Sequence, residues 1–210
     1  MDIVKPIDVV IADDNIFLAQ ALAENLNNST KINVVNTFES IEDLIEYIPE
    51  STFDVLILDI NFNGSNSLEY IEQIKKRDTD FKIIVLTTLD NDFIKQLAES
   101  KGVDLFKGKN SAYQNFDQTI IECFNSKKIA EVDSKAPIFL VDKIKLTETK
   151  IKIIRALYSH SGKTEPEIAQ LLNISTSSLK THKRQLYEMT NTKRITDLIR
   201  FGFKHGILIN

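Results

Sequence analysis

Cys123 is the only cysteine in the 210 residues, so no disulfide can close within the chain and a four-cysteine zinc site is excluded. No apolar run approaches the roughly 18 residues that a membrane-crossing helix needs. The first ten residues, MDIVKPIDVV, carry acids and lack the basic, apolar, small-residue order of a secretion signal. These absences lead to the expectation of a soluble, cytoplasmic protein with no membrane partner. The stretch IADDNIF, after the first apolar run, lacks a glycine loop, which removes a dinucleotide-binding fold. No internal repeat or low-complexity tract is visible.

What is present is an uneven distribution of charge. The net charge of −4 is an average over two unlike halves. From Lys135 to Asn210 there are ten lysines and four arginines against six acids, a net +8, which leaves −12 for the first 134 residues. All three histidines, His160, His182 and His205, fall in the basic half. An acidic half joined to a basic one implies one domain that avoids polyanions and one that seeks them.

The acidic half alternates short β-rich runs with amphipathic segments. Residues 8–12, 32–35, 54–59 and 82–87 are apolar runs rich in Val, Ile and Leu, and 103–106 is a weaker fifth. Near-continuous runs of this kind are what a strand buried on both faces looks like. Between them Leu18, Leu22 and Leu26 repeat at helical spacing, as do Leu68, Ile71 and Ile74. Ser40 followed by Asp43 resembles a capping box with Asp in place of Glu. Five such units predict an α/β fold, a doubly wound five-stranded parallel sheet of flavodoxin-like type, over residues 1–126. Residues 127–142 show neither period and are read as a linker. The remainder, 143–210, reads as a small all-α domain, with helices over 147–159, 164–172, 175–189 and 192–204.

Three carboxylates stand at expected strand ends: Asp13 and Asp14 after the first strand and Asp59 closing the third. In a doubly wound sheet these ends converge, and clustered like charges are unfavourable unless a cation joins them. Hard oxygen ligands suit Mg2+. Thr87 and Lys109 add a hydroxyl and an ammonium to the same rim. A carboxylate can act as a nucleophile on phosphorus, and a cation and a hydroxyl can steady the phosphoryl oxygens. Asp59 is the best nucleophile, with Asp13 and Asp14 as metal ligands. Asp14 could instead simply cap the helix that follows.

The motifs VIADDN, VLILDI, VLTT and GVDLFKGKN, in this order, resemble the receiver domains of two-component response regulators. The resemblance implies Asp59 as phospho-acceptor, Lys109 as the family lysine, and Thr87 with Phe106 as a coupled switch. It also implies that the main-chain carbonyl of Asn61 completes the Mg2+ shell formed with Asp13, Asp14 and Asp59. Departures are the loop INFNGSNS after Asp59, which lacks the usual proline, Thr88 where the family has a smaller residue, and Asn110 after the lysine.

In the basic half, Thr164-Glu165-Pro166-Glu167 is a helix start. Asn173 tolerates the left-handed turn at the helix end, and Ser175 caps a second helix about three residues on, the spacing of a helix-turn-helix. In that second helix Leu179, Leu186 and one of His182 or Lys183 point toward the domain, while Lys180, Thr181 and Arg184 share a polar face able to reach base edges. Ser177 and Ser178, near its N-terminus, suit phosphate. The DNA-binding set is Ser177, Ser178, Lys180, Thr181, Lys183 and Arg184. The segments EIAQLLNIS and SLKTHKRQLY resemble the LuxR or NarL type of helix-turn-helix, with His182 as a scaffold position and LTETK as a departure in the first helix. Ile195, Leu198, Ile199 and Phe203 form an apolar stripe that serves as core or, by the resemblance, as a dimer contact.

The expectation is a transcription regulator, not an enzyme beyond its own phosphorylation and dephosphorylation. Its partners would be a sensor histidine kinase, double-stranded DNA and a second copy of the chain. Two other readings stand beside it. A phosphatase of the haloacid dehalogenase type would need a second aspartate two residues after the nucleophile, where Asn61 stands. A constitutive DNA binder would use the receiver only as a dimerisation scaffold.

Overall fold

The computed structural model describes residues 5–62, 65–75, 80–112, 115–126 and 137–208. Its order of elements begins β1 (Ile7–Ala12), α1 (Ile16–Asn27), β2 (Ile32–Phe38), α2 (Ile41–Tyr47) and β3 (Val55–Leu58). Two very short strands follow, β4 (Asn61–Phe62) and β5 (Ser65–Asn66), then α3 (Ile71–Lys75), β6 (Lys82–Thr87), α4 (Asp92–Ser100), β7 (Leu105–Gly108), α5 (Lys109–Ala112) and α6 (Phe116–Asn125). The last part comprises β8 (Ile138–Val141), β9 (Ile144–Thr147), α7 (Glu148–Ser159), α8 (Glu165–Leu171), α9 (Thr176–Thr190) and α10 (Ile195–Lys204). The chain divides into two compact units, Met1–Asp90 with Ala98–Val132, and Asn91–Leu97 with Asp133–Asn210. The assignment of Asn91–Leu97 to the second unit has no signal in the sequence.

In the first unit all the pairings of the main sheet are parallel, in the order β2-β1-β3-β6-β7. The expected runs become strands because β-branched and aliphatic side chains pack on both faces of the pleat. Val9, Val10, Val55, Leu56, Leu58, Ile83, Ile84 and Val85 are wholly buried, and burial of each such side chain stabilises by about 1.5–3 kcal/mol. Leu22 and Leu26 of α1, and Leu68, Ile71 and Ile74, are buried as their spacing predicts. Cys123 lies among this core, and burial pushes its thiol pKa up to about 11.

The differences are local. β2 continues to Phe38 and the fifth strand starts at Leu105 rather than Val103. Ser40 caps α2 by accepting from the Asp43 amide at 3.3 Å, and its hydroxyl donates to Glu42 at 3.1 Å. Asn15, not Asp14, caps α1, its side chain accepting from the Leu18 amide at 3.2 Å.

In the second unit the stretch expected to be linker contains strand β8, paired antiparallel with β9 from Ile138↔Thr147 to Val141↔Ile144. Residues 127–136 of that stretch lie outside the described residues. Phe139 and Val141 are buried while Ile138 and Leu140 are exposed, so IFLV does alternate with period two, over too few residues to stand out. The hairpin corrects the expectation of a purely helical region. Its turn places both Asp142 (φ 47°) and Lys143 (φ 66°) in the left-handed region. The Gln96 amide donates to the Leu140 carbonyl at 3.1 Å and accepts from the Leu140 N–H at 2.8 Å.

The helical part matches the expected boundaries within a few residues. Gly202 lets α10 approach closely, since a Cβ there would stand 2.9 Å from Leu208 Cγ and 3.2 Å from Ile154 Cγ2. Of the apolar stripe, Leu198 is buried, Ile199 and Phe203 are half-buried, and Ile195 is 38% exposed. No helix among the described residues is long and apolar enough to cross a membrane.

Candidate functional sites

The first site lies at the carboxyl ends of β1, β3, β6 and β7, where strand order reverses between β1 and its two neighbours. The sheet ladder itself aims the acids: the Asp59 N–H donates to the Ala12 carbonyl at 2.9 Å, and the Asp13 N–H to the Phe38 carbonyl at 3.0 Å. Asp13, Asp14 and Asp59 each offer a carboxylate oxygen, all within 4.8 Å of one another. Asp13, Asp59, Lys109 and Thr87 are buried.

Lys109 links two of the acids. Its ammonium donates to Asp13 Oδ2 at 2.6 Å and to Asp59 Oδ2 at 2.9 Å. The other oxygens are held by main chain: Asp13 Oδ1 accepts from the Asn15 N–H at 3.0 Å, and Asp59 Oδ1 from the Ile60 N–H at 2.7 Å. Burial pushes the Asp13 carboxyl above its ordinary range, although Lys109 and the Asn15 amide pull the other way. Burial alone would lower the Lys109 pKa, but its hydrogen bonds to Asp13 and Asp59 outweigh it and the pKa is raised. Removing either partner would strand buried charge, which is costly.

Thr87 ends β6, opposite Gly108 in the register, and its hydroxyl accepts from the Leu89 N–H at 3.2 Å. Phe106 pairs with Val85 across the same two strands and is buried. Thr88 beside Thr87 is exposed. Asn61 begins β4 and pairs with Asn66, which places its main chain two residues from Asp59 in a tight two-strand ribbon.

Sequence reasoning missed Ser67. This wholly buried residue donates its hydroxyl to the Asp59 carbonyl at 2.5 Å and its N–H to the Ile60 carbonyl at 2.8 Å. The signal available was a small hydroxyl residue eight positions after Asp59, too common to single out.

The second site is on α8 and α9. The expected start of α8 holds: the Thr164 N–H donates to Glu167 at 2.7 Å, closing the capping box. Asn173 takes φ 52°, and Ser175 caps α9 by accepting from the Ser178 amide at 3.0 Å. Leu179 and Leu186 are buried against the domain. Lys180, Thr181 and Arg184 are exposed, with side-chain exposure of 66% for Lys180 and 75% for Arg184. Ser177 is exposed and Ser178 half-buried.

Lys183 does not share that face. Its side chain is 12% exposed and its ammonium lies 2.5 Å from Glu165 Oε1. His182 Nδ1 is buried and has no hydrogen-bond partner among the described residues.

The comparisons with known proteins extend over both halves of the chain. The family model described as "Response regulator receiver domain" matches residues 9–120. The response regulator protein VraR of Staphylococcus saprophyticus is 24% identical over 213 residues, covering 97% of this chain and 99% of that protein. The transcriptional regulatory protein DesR of Bacillus subtilis is 28% identical over 200 residues, covering 95% and 98%. Among solved structures, RcsB from Salmonella enterica serovar Typhimurium, bound to promoter rprA in the presence of phosphomimetic BeF3-, superposes with a TM-score of 0.65 at 22% identity. That alignment covers 94% of this chain and 98% of the other. The family match over residues 9–120, on a fold that draws the acids, the lysine and the threonine to one rim, makes this chain a member of the response regulators, with a receiver domain as its N-terminal part.

Proposed function

We propose that the protein is a transcription regulator in which a phosphoryl group on Asp59 controls dimerisation and binding to double-stranded DNA through α9. The observation that carries the first half is the Lys109 ammonium held between Asp13 and Asp59, at 2.6 and 2.9 Å, in a buried acidic pocket. A carboxylate oxygen of Asp59 attacks phosphorus; the bond from phosphorus to the donor's nitrogen or oxygen breaks, and the electron pair leaves with the donor. The donor is a partner histidine kinase or a small acyl phosphate.

The donor set, three carboxylates within 4.8 Å of one another, suits Mg2+, with Asp13, Asp14, Asp59 and the Asn61 carbonyl as its holders. When bound, Mg2+ offsets negative charge on the transferring group. Lys109 would add a second positive charge to the same pocket. The Ile60 N–H keeps the Asp59 carboxylate in one rotation, and Thr87 offers a hydroxyl to the product phosphoryl group. Movement of Thr87 toward that group, coupled to Phe106 on the neighbouring strand, shifts the population toward a state that dimerises. The same residues would carry the protein's own dephosphorylation. It is a regulator rather than an enzyme acting on other substrates, and it would work in the cytoplasm.

The DNA half rests on the exposed Lys180, Thr181 and Arg184 on one face of a helix whose opposite side is buried. Ser177 and Ser178 at its start would meet phosphate. Two relatives bear on it: DesR is named a transcriptional regulatory protein, and the RcsB structure holds promoter DNA.

The test is mass spectrometry after incubation with acetyl phosphate and Mg2+, beside Asp59→Asn. One phosphoryl group on the wild type alone is expected. An adduct that persists in Asp59→Asn would overturn the assignment. No adduct on a folded wild type would favour a constitutive DNA binder.

A further inference from the structure

Glu165 lies beside Lys183 and Lys180 of α9, the second of them on the exposed face of that helix, and it is the wrong charge for a surface that meets a polyanion. It is the first residue of α8, directly after the Thr164 cap, and its carboxylate reaches across to α9. One oxygen lies 2.5 Å from the Lys183 ammonium, the other 4.0 Å from that of Lys180. The Lys183 hydrogen bond, aided by the charges of Lys183 and Lys180, holds the Glu165 carboxyl below its ordinary range. Lys183 is therefore already paired with a carboxylate before any DNA arrives.

Binding of DNA without regard to sequence comes from lysines and arginines that neutralise phosphates and release counterions. Specificity comes from base contacts, and a lysine free to take any phosphate adds affinity for every sequence alike. A fixed carboxylate beside two lysines works against that term. We propose that Glu165 is a specificity-determining residue: an internal counter-ion that keeps Lys183, and in part Lys180, from serving as phosphate contacts, and so restrains binding to non-specific DNA. The inference rests on the reading of α9 as the DNA-binding helix. It assigns Lys183 a different task from that of Lys180, Thr181 and Arg184.

The experiment is fluorescence anisotropy of the full chain with a labelled random-sequence duplex over a range of salt concentrations. Glu165→Gln keeps the shape of the side chain and removes its charge. The expected result is tighter binding at low salt and a slope of log K against log salt steeper by about 0.9 for each lysine released. Glu148→Gln, which removes an acid from the Glu148–Lys152 pair on α7, is the control for net charge and should leave the slope as it is. In a Lys183→Met background the Glu165→Gln change should add markedly less, because the cation it releases is gone. An unchanged slope in a folded Glu165→Gln protein overturns the inference, as does an equal shift in Glu148→Gln. If wild type and variants alike fail to bind the duplex with any salt dependence, the DNA-binding reading itself has failed. Wild-type binding with a slope that Glu165→Gln does not alter refutes only the role of Glu165.

Discussion

The Ser67 hydroxyl donates to the main-chain carbonyl of Asp59 across 2.5 Å, inside the protein, where water cannot replace it. Together with the bond from the Ser67 N–H to Ile60, it ties the end of the loop after Asp59 back to the end of β3. The loop between carries Asn61 and folds as the β4–β5 ribbon. Ser67 thus fixes the main chain of the proposed acceptor and of the residue that follows it. Ser67→Ala should cost about 1–3 kcal/mol, the loss of a buried hydrogen bond, read as a lower denaturant midpoint. It should also raise the Mg2+ concentration needed for half-maximal phosphorylation by acetyl phosphate. An unchanged Mg2+ requirement would leave Ser67 a purely structural tie.

For the output region, Lys180→Ala and Arg184→Ala are each expected to weaken binding to a specific operator by about 1–3 kcal/mol where they contact a base. Both side chains are exposed and neither supports the core, so thermal unfolding should not move. Electrophoretic mobility shift on the operator and on a scrambled duplex checks the expectation, and full affinity in both variants would exclude α9 as the reading helix.

Cys123 supplies a pH dependence. Its thiol is buried and its pKa is pushed up from 9.0 to about 11. At pH 8 the native protein should therefore react with iodoacetamide roughly 100-fold more slowly than the unfolded chain, two pH units being two decades of thiolate. The folded state binds this proton more tightly than the unfolded state. Its contribution to stability is accordingly complete below pH 9 and lost as pH rises through 11. Cys123→Ala should flatten this alkaline fall in the unfolding midpoint. A fall of the same size in the variant would place its cause elsewhere.

The hairpin turn holds two residues with side chains, Asp142 and Lys143, at positive φ. A turn of this kind favours glycine at the second position. Lys143→Gly should stabilise the protein by about 1 kcal/mol, the steric cost of a left-handed residue with a Cβ. Chemical denaturation measures it, and a destabilised variant would show that the Lys143 side chain makes a compensating contact.

The sequence carried the sheet clearly because its strands are buried on both faces, and such strands read as unbroken aliphatic runs. The same logic hid β8: a strand of four residues, Ile138–Val141, with one face exposed, leaves only two buried side chains as a trace. Asp13, Asp14, Asp59 and Thr87 were legible because each follows or ends a run, and Lys109 because it stands three residues after the fifth. Ser67 and Glu165 were not, since their partners lie eight and eighteen residues away and only the folded chain brings them together. The sequence leaves His182 or Lys183 as the inward position and also places Lys183 in the DNA-binding set; the fold turns Lys183 toward Glu165 of α8.

The Lys109 bridge spans 96 residues to Asp13 and 50 to Asp59. Contacts so distant along the chain are slow to form, because loop closure must be met before they repay it. As the protein emerges from the ribosome, Asp13, Asp14 and Asp59 are all available long before their lysine. Until β7 docks, Asp13 and Asp59 lack the Lys109 ammonium that bridges them in the folded chain. Completion of the central strands should therefore be sensitive to divalent cations in solution, and the last strand of the sheet is also the step that makes the pocket electrically tolerable.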